Sequence, residues 1–321
     1  MARLGSFVAV LVLVCAASFV NVADSAGLVN NFYRKSCPNA EKIIRDSIYR
    51  MYEKKGNIAT SFIRFGFHDF FNGADASFFL LSAPGKTSEK DSHSMVGMRN
   101  EKYVNNIKAE VEKVCPGVVS CADILAVGSA AAVQVLGGPY IHVKTGRKDT
   151  RNSMKSSADT IPRPQDGVTK VLTFYKNIGI NPREAVALMG AHTIGRAHCT
   201  SFIERIFPKV DPKMDPVFAE KLKRRCPAKP TSVHFTYFRN DEPSPMAFDN
   251  NYFKNLVTKQ GLMGIDSALY WDGRTQKYVI EFSQNEAAWR EVFTVAFKKL
   301  SEYKVLTGRQ GEIRKRCMYV N

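Results

Sequence analysis

Apolar residues recur at helical spacing along most of the chain, whereas the alternation typical of strands is rare. Within residues 39–54, Ile44, Ile48 and Met51 fall on one face of a helix, and Gly56 follows its last turn. The same period predicts further helices at residues 215–225, 249–258 and 281–300. The hydrophobic pattern therefore predicts an all-α fold.

Capping residues mark the starts of two more helices. Ser120 and Asp123 form an N-cap pair ahead of an alanine-rich run that stops at a Gly-Gly pair. Residues 181–184 combine an Asn cap, a proline at the first helical position and a glutamate two positions later. Strands are predicted only for short stretches such as residues 140–143.

The N-terminus has the layout of a secretory signal peptide. Arg3 precedes an apolar run over residues 7–20, and small residues follow at 23–26. We predict a signal peptide over residues 1–25, with cleavage between 23 and 27, and a single mature domain over residues 26–321. A membrane anchor is the alternative, although the run is short for a span and no downstream stretch is apolar enough to cross a membrane.

The chain has seven cysteines, and removal of the signal peptide would take Cys15 and leave six. An even number in an oxidising compartment predicts three disulfides and no free thiol. Spacing alone leaves the pairing open, because six cysteines can pair in many ways. Zinc is disfavoured, since none of the six belongs to a CxxC pair or to a Cys/His cluster of the usual spacing.

The net charge is +16, from 46 Lys and Arg against 30 Asp and Glu, and 45% of the residues are hydrophobic. This hydrophobic content excludes a disordered chain and a coiled-coil rod. The positive charge favours contact with polyanions, which keeps a basic secreted binding module for nucleic acid or acidic polymers among the alternatives.

Three motifs carry residues suited to redox or metal chemistry. In the first, residues 64–69, Arg64 and His68 are four apart, so a helix would project both from one face. An imidazole that moves a proton beside a charged guanidinium suits cleavage of a polar O–O bond. The plain alternative is a surface arginine and a hydrogen-bonded core histidine.

The second motif, residues 190–199, follows an apolar stretch and contains His192. A histidine among small residues at the end of a buried helix can approach a flat cofactor. A metal-bound histidine needs a hydrogen-bond acceptor for its other ring nitrogen, and Asp266 is the candidate. A buried neutral histidine is the alternative interpretation.

The third motif is a set of oxygen ligands: Asp241, Ser244 and Asp249, with Thr193 next to His192. Carboxylates and hydroxyls clustered in a loop suit calcium, which takes about six to eight oxygen ligands. A loop of solvated acidic residues is the alternative.

The order and spacing of these motifs resemble the secretory plant peroxidases, the class III haem peroxidases, over essentially the whole mature length. The resemblance rests on the segments FYRKSCPNAE (32–41), RFGFHD (64–69), CPGVVSCADILA (115–126), LGGPY (136–140), GRKD (146–149), IPRP (161–164), GAHTIGRAHC (190–199), FDNNYFKNL (248–256) and VLTGRQGEIRKRC (305–317), with Asp266 after a Gly-Leu pair. So many motifs in the order of the family make the resemblance specific.

The resemblance implies an all-helical fold with one haem b between a distal and a proximal layer. His68 matches the distal acid–base residue, Arg64 the distal arginine and Phe67 a residue that lines the haem pocket. His192 matches the axial iron ligand, and Asp266 matches its hydrogen-bond partner. The resemblance further implies an aromatic-donor contact at Pro162, an ion pair of Asp123 with Arg147, and disulfides joining Cys37 to Cys115, Cys121 to Cys317 and Cys199 to Cys226.

The resemblance also implies two calcium sites. Thr193, Asp241, Ser244 and Asp249 match the proximal site. The distal site would use Asp69, Gly73, Asp75 and Ser77, but the loop that carries these residues is one residue shorter than in the family. We therefore predict weaker calcium retention on the distal side.

The chain departs from the family pattern in the distal region. Phe70 and Ala74 stand where the family has two cysteines, so the fourth family disulfide is absent. Between Lys90 and Arg99 there is no Asn, whereas the family places one there to hydrogen-bond the distal histidine. The missing Asn predicts slower peroxide activation, because His68 lacks the partner that fixes its tautomer and basicity.

The resemblance implies a peroxidase that reduces hydrogen peroxide and oxidises phenolic donors in one-electron steps. A weakly active haem protein that binds the cell wall is the alternative. We expect secretion to the cell exterior or cell wall, with the vacuole as another destination. We also expect acidic cell-wall polysaccharide as a partner, no nucleic-acid or membrane partner, and a monomer.

Overall fold

The computed structural model describes residues 27–82, 84–229 and 236–321. The helices of this part are α1 (Ala40–Lys54), α2 (Asn57–Phe70), α3 (Lys102–Val114), α4 (Cys121–Val135), α5 (Lys155–Ala158), α6 (Val168–Asn177), α7 (Pro182–Met189), α8 (Pro216–Arg225), α9 (Asn251–Val257), α10 (Gly264–Trp271), α11 (Gln276–Gln284) and α12 (Glu286–Ser301). Two short strands, β1 (Arg196–His198) and β2 (Tyr237–Arg239), pair antiparallel. The predicted all-α class is confirmed.

The predicted signal peptide, residues 1–25, lies outside the described residues. Among the helices that are described, none is both long and apolar enough to cross a membrane.

Helix α4 is the centre of the core, and its residues from Cys121 to Val133 are buried. It packs against α1 and α2 on one side of the molecule, while α12 packs against α7 on the other. Aromatic rings join the two groups, since Phe67 of α2 contacts Phe293 and Phe297 of α12. Helices α2 and α7, which carry or precede the predicted histidines, are thus anchored in one core.

The predicted ion pair of Asp123 with Arg147 is confirmed, and both side chains are fully buried. The Arg147 Nη1 lies 2.8 Å from the Asp123 Oδ1, and the Tyr33 hydroxyl donates to the Asp123 Oδ2 at 2.6 Å. The Arg147 Nη2 also donates to the carbonyl oxygen of Ser301, the last residue of α12, at 2.6 Å. These additional hydrogen bonds help to offset the cost of removing both charges from water, which the ion pair alone would not do.

All three disulfides implied by the resemblance are present: Cys37–Cys115, Cys121–Cys317 and Cys199–Cys226. The second joins residues 196 positions apart and ties the C-terminal segment to the start of α4. In place of the missing family disulfide, Phe70 and Ala74 are fully buried. The Phe70 ring packs edge-on against Phe297, with 5.6 Å between the ring centres, so apolar packing occupies that region.

Two of the predicted helices have different bounds in the structure. The helix predicted over residues 281–300 is wrong as one element, because Asn285 separates α11 from α12 and caps α12 through its side chain. The helix predicted over residues 249–258 is the shorter Asn251–Val257. Its start is delayed because the Asp249 carboxylate accepts a hydrogen bond from the backbone of Asn251 at 3.0 Å.

The strand predicted at residues 140–143 is also wrong. Ile141 and Val143 are buried between more exposed neighbours, which produces the alternation seen in the sequence. The Ile141 carbonyl nevertheless accepts its hydrogen bond from the Arg45 guanidinium at 2.9 Å. Residues 140–143 therefore show the alternation of buried and exposed side chains that is typical of a strand, but in the described part of the chain they have no neighbouring strand to pair with.

Candidate active site

A cavity of about 570 Å³ lies between α2 and the turn that follows α7. Its wall includes His68 from α2 and His192 from the 3₁₀ turn Gly190–Thr193. Phe67 and Pro162, both predicted site residues, also line it. Much of the remaining wall is apolar and includes Ile63, Phe65, Phe174, Leu188 and Ile265. The two motifs that sequence analysis treated separately therefore face one space.

Helix α2 projects Arg64 and His68 from one face, as their spacing predicts. The Arg64 Nε lies 3.4 Å from the His68 Nε2, which makes a long hydrogen bond. The Arg64 Nη2 donates to the carbonyl oxygens of Ser94 and Val96, each at 3.0 Å. Burial and the nearby Arg99 lower the pKa of Arg64 to about 10, so its guanidinium is positively charged at neutral pH.

The His68 imidazole is held in its neutral form. Burial lowers its pKa well below the ordinary value of 6.5, and the charges of Arg64 and His192 act in the same direction. Because Nε2 accepts from Arg64, we assign the proton to Nδ1. Within the described residues, Nδ1 is buried and has no hydrogen-bond partner. This orphaned nitrogen matches the absence of an Asn between Lys90 and Arg99.

On the opposite side, the His192 Nδ1 lies 2.9 Å from the Asp266 Oδ1. Asp266 belongs to the first turn of α10, is buried, and accepts a second hydrogen bond from the Tyr252 hydroxyl at 3.0 Å. Burial lowers the pKa of His192, but the charge and hydrogen bond of Asp266 outweigh this effect, so the net pKa is raised. Asp266 thus engages one ring nitrogen and leaves Nε2 for the cavity.

The position of His192 is fixed by close packing two residues earlier. A Cβ on Gly190 would lie 2.6 Å from the Trp289 Nε1 and 2.7 Å from the Phe253 ring. The Trp289 Nε1 donates to the carbonyl of Ala187 in α7 at 2.9 Å, so the indole cannot yield easily. Only glycine fits this point, and the backbone that carries His192 is therefore set by the core.

The residues present fit a haem. The cavity is bounded by an imidazole on each side, and the wall between them is largely apolar, as a flat macrocycle requires. His192 has one nitrogen engaged by a carboxylate, which is the usual arrangement of a metal-binding histidine. His68 has no carboxylate partner and stays neutral, which suits proton transfer better than metal binding.

The predicted proximal calcium ligands lie together directly behind His192. The Thr193 Oγ1 is 3.3 Å from the Asp241 Oδ2 and 3.2 Å from the Asp249 Oδ1, and the Ser244 hydroxyl is 3.0 Å from the same Asp241 oxygen. Burial and then Asp249 raise the pKa of Asp241. A cation at this point would offset the repulsion between the neighbouring Asp241 and Asp249 carboxylates, so this set of ligands fits calcium.

The predicted distal ligands are only partly assembled. The Asp69 Oδ1 and the Ser77 Oγ are buried without a hydrogen-bond partner among the described residues. Burial and then Asp75 raise the pKa of Asp69 well above its usual range. Gly73 has φ of +135°, and its carbonyl belongs to the shortened loop. The orphaned oxygens fit a cation, but the ligand set is less complete than the proximal one.

No group of three or more His, Cys, Asp or Glu side chains in the described part of the chain is arranged to hold a metal ion. A calcium ion at either place would consequently depend on hydroxyl and carbonyl oxygens as well as carboxylates.

Sequence analysis missed two supporting residues of the site. Tyr252 donates a hydrogen bond to Asp266, and the Asn255 Nδ2 donates to the Asp241 Oδ1 at 3.2 Å. Both belong to the segment 248–256 that carries the resemblance, which was the available signal.

The residues that match known proteins include those on both sides of this cavity. The family model described as peroxidase matches residues 44–285. Peroxidase 21 of Arabidopsis thaliana is 44% identical over 295 residues, which cover 91% of this chain and 90% of that protein. Peroxidase 42 of the same plant is 39% identical, covering 92% and 90%. The lignin-forming anionic peroxidase of Nicotiana sylvestris is 40% identical, covering 92% of each. The chain therefore belongs to the plant peroxidase family.

Proposed function

We propose that this peroxidase binds one haem b in the cavity, where His192 would hold the haem iron, and that it oxidises phenolic donors in one-electron steps at the expense of hydrogen peroxide. The observation that carries the proposal is the placement of the Arg64–His68 pair and the His192–Asp266 pair on one cavity. Family membership supports it, since plant peroxidases generally bind haem and calcium.

Each polar residue of the cavity then has a distinct role. His68 takes a proton from hydrogen peroxide at Nε2 and returns it to the departing oxygen. Arg64, oriented by two backbone carbonyls, stabilises the negative charge that develops as the O–O bond breaks. Asp266 accepts the Nδ1 proton of His192 in a hydrogen bond and keeps the ring basic. Haem, when bound, supplies the redox chemistry.

The visible spectrum and one dye assay test this function. A Soret band together with peroxide-dependent oxidation of a phenolic dye supports the proposal. The absence of haem after expression with haem supplied would contradict it. A Soret band without turnover would favour the weakly active, wall-binding haem protein, and the orphaned His68 Nδ1 is the specific observation that keeps this second candidate.

The missing partner of His68 has a measurable consequence for peroxide activation. We expect a second-order rate constant about tenfold below that of relatives with the Asn, because a lost hydrogen bond to a charged group costs about 1.5 kcal/mol or more. Since the pKa of His68 is lowered, its neutral form persists below pH 6.5, and the rate should fall only at more acidic pH. Stopped-flow pH profiles measure both effects. A rate typical of the family, with an acid limb near 6.5, would contradict the prediction.

We also propose that the proximal calcium is held tightly and the distal one weakly. Metal analysis after gel filtration should return one ion per chain, and chelation should lower the melting temperature until calcium is restored, because a ligand at about 100 times its Kd stabilises by about 2.7 kcal/mol. Asp249→Ala should remove the retained ion, whereas the matched Asp75→Ala should not. Two tightly held ions in the unaltered protein would show that the shortened distal loop binds calcium after all.

The proposed location is the cell exterior or cell wall, with the vacuole as another destination, after cleavage of a signal peptide over residues 1–25. Relatives in this family are generally secreted, which supports it. We further propose a monomer whose charge of +16 tethers it to acidic cell-wall polysaccharide. Retention on immobilised pectin that is lost with rising salt supports the tether, and passage at low salt contradicts it.

A further inference from the structure

A chain of hydrogen bonds crosses the edge of the cavity beside Pro162. The Arg163 Nε donates to the His93 Nε2 at 3.1 Å, and the His93 Nδ1 lies 3.1 Å from the Asp159 Oδ1. His93 and Arg163 both line the cavity and are both exposed to solvent, so they mark its mouth. In this pattern the His93 Nε2 accepts from Arg163, and the Nδ1 is assigned as the donor to Asp159.

The carboxylates near this chain are already neutralised by lysines. The Lys155 Nζ is 2.7 Å from the Asp159 Oδ2, and the Lys170 Nζ is 2.8 Å from the Asp166 Oδ2. The hydrogen bonds from Lys155 and Ser92 lower the pKa of Asp159 to about 2, so this carboxylate is ionised. Asp166 also accepts a hydrogen bond from the Arg163 backbone at 2.6 Å. Burial alone would raise the pKa of Asp166, but its hydrogen bonds and then the charges of Lys170 and Arg163 lower it overall. Among the described residues, however, no carboxylate forms a salt bridge with the Arg163 guanidinium itself, so its Nη groups have no anionic partner in direct contact.

The formally charged side chains that line the cavity are all positive. Five arginines line it, namely Arg64, Arg99, Arg163, Arg196 and Arg239, and the described lining contains no Asp or Glu. Arg196 is held against the Tyr237 ring, with 3.8 Å from its guanidinium carbon to the ring centre. A cavity of this composition attracts anions and repels cations.

We propose that Arg163 determines donor specificity by binding the carboxylate of phenolic acids, while their phenol end enters the cavity past Pro162. This inference rests on the proposed function and names the donor class for it. His93 engages the Nε–H of Arg163, so the two Nη groups remain for a bidentate contact with a carboxylate. His93 is a positioning residue, because it acts by orienting the guanidinium.

The test compares a phenolic acid, 4-hydroxycinnamate, with its uncharged methyl ester. The readout is the ratio of the two kcat/KM values, together with the Kd of each donor for the resting haem protein from difference spectra. Arg163→Ala should lower the ratio about threefold to fivefold, since exposed charge pairs are worth up to about 1 kcal/mol. Arg163→Glu should lower it further and weaken acid binding in parallel. Arg224→Ala, an equal charge change on exposed α8, should leave the ratio unaltered.

Two variants of His93 distinguish loss of its hydrogen bond to Arg163 from a change in the size of the side chain. His93→Phe removes the acceptor and should lower the ratio, whereas His93→Gln retains an acceptor and should restore most of it. Equal ratios for the two variants would remove His93 from the proposal.

The outcomes distinguish this inference from the proposed function. Turnover of the ester with an unchanged ratio in Arg163→Ala and Arg163→Glu would overturn the donor assignment and leave the peroxidase function standing. Loss of haem from most of the Arg163 variant protein, with an unchanged ratio in the fraction that retains haem, would also overturn it, because Arg163 would then hold the cofactor and not select the donor. Absence of turnover with either donor in the unaltered, haem-loaded protein would contradict the function itself.

Discussion

Replacing His68 by leucine should lower the second-order rate constant for hydrogen peroxide by about 10²-fold to 10⁴-fold, the usual contribution of a general acid–base residue. The imidazole is the one neutral base that α2 brings beside Arg64, with 3.4 Å between their nitrogens. Leucine is similar in volume and cannot accept a proton. Stopped-flow absorbance at the Soret band measures the rate directly.

Haem content serves as the internal control for this variant, because His192, the proposed haem ligand on the opposite side, is untouched and should keep the cofactor bound. His142→Leu makes the same chemical change outside the cavity lining and should have little effect on the rate. The acid limb of the pH profile should disappear with His68, since its protonation causes that limb. A His68→Leu protein with full activity would remove the acid–base assignment.

Replacing His192 by alanine should abolish retention of haem through gel filtration. The Nε2 of His192 is the ring nitrogen left for the cavity once Asp266 has engaged Nδ1 at 2.9 Å. The truncation leaves a space of imidazole shape bordered by Asp266 and Tyr252, so added imidazole should restore part of the Soret absorbance. The ratio of Soret to protein absorbance, measured with and without imidazole, is the readout.

Asp266→Asn is the companion to that experiment. It keeps the shape of the side chain but removes the charge that raises the pKa of His192, and loss of such a partner weakens metal sites by about 10-fold to 100-fold. We therefore expect haem that is bound but exchanges more readily with a competing acceptor protein. Unaltered haem retention by His192→Ala would place the axial ligand elsewhere.

The contact of Arg64 with His68 could be predicted from the sequence better than the contact of His192 with Asp266, for a physical reason. Arg64 and His68 lie four residues apart, and one helix brings such residues together whatever the rest of the fold does. His192 and Asp266 are 74 residues apart, and only the packing of α10 beside the Gly190–Thr193 turn makes them neighbours. Asp266 was named as a candidate acceptor from its residue type, but motif spacing could not show that it lies beside His192, and only the family resemblance connected the two.

At the mouth of the cavity, the donor contact at Pro162 was predicted, but the contact between Arg163 and His93 was not. Arg163 and His93 are 70 positions apart, both are exposed, and neither belongs to a periodic pattern. The break at Asn285 was missed for the opposite reason, because apolar periodicity continues across the cap that separates α11 from α12. Periodicity reports which face is buried, and it does not report where the backbone changes direction.

The buried pair of Asp123 and Arg147 lies where two helix dipoles end. Asp123 is in the first turn of α4, near the positive end of that helix, while Arg147 donates to the last carbonyl of α12, at its negative end. Each charge of the pair therefore interacts favourably with the helix end of opposite sign, and the ion pair links the two helix ends electrostatically. Because α4 packs against α2 and α12 packs against α7, this ion pair links the helices that support the two histidine-bearing segments, although it touches neither histidine.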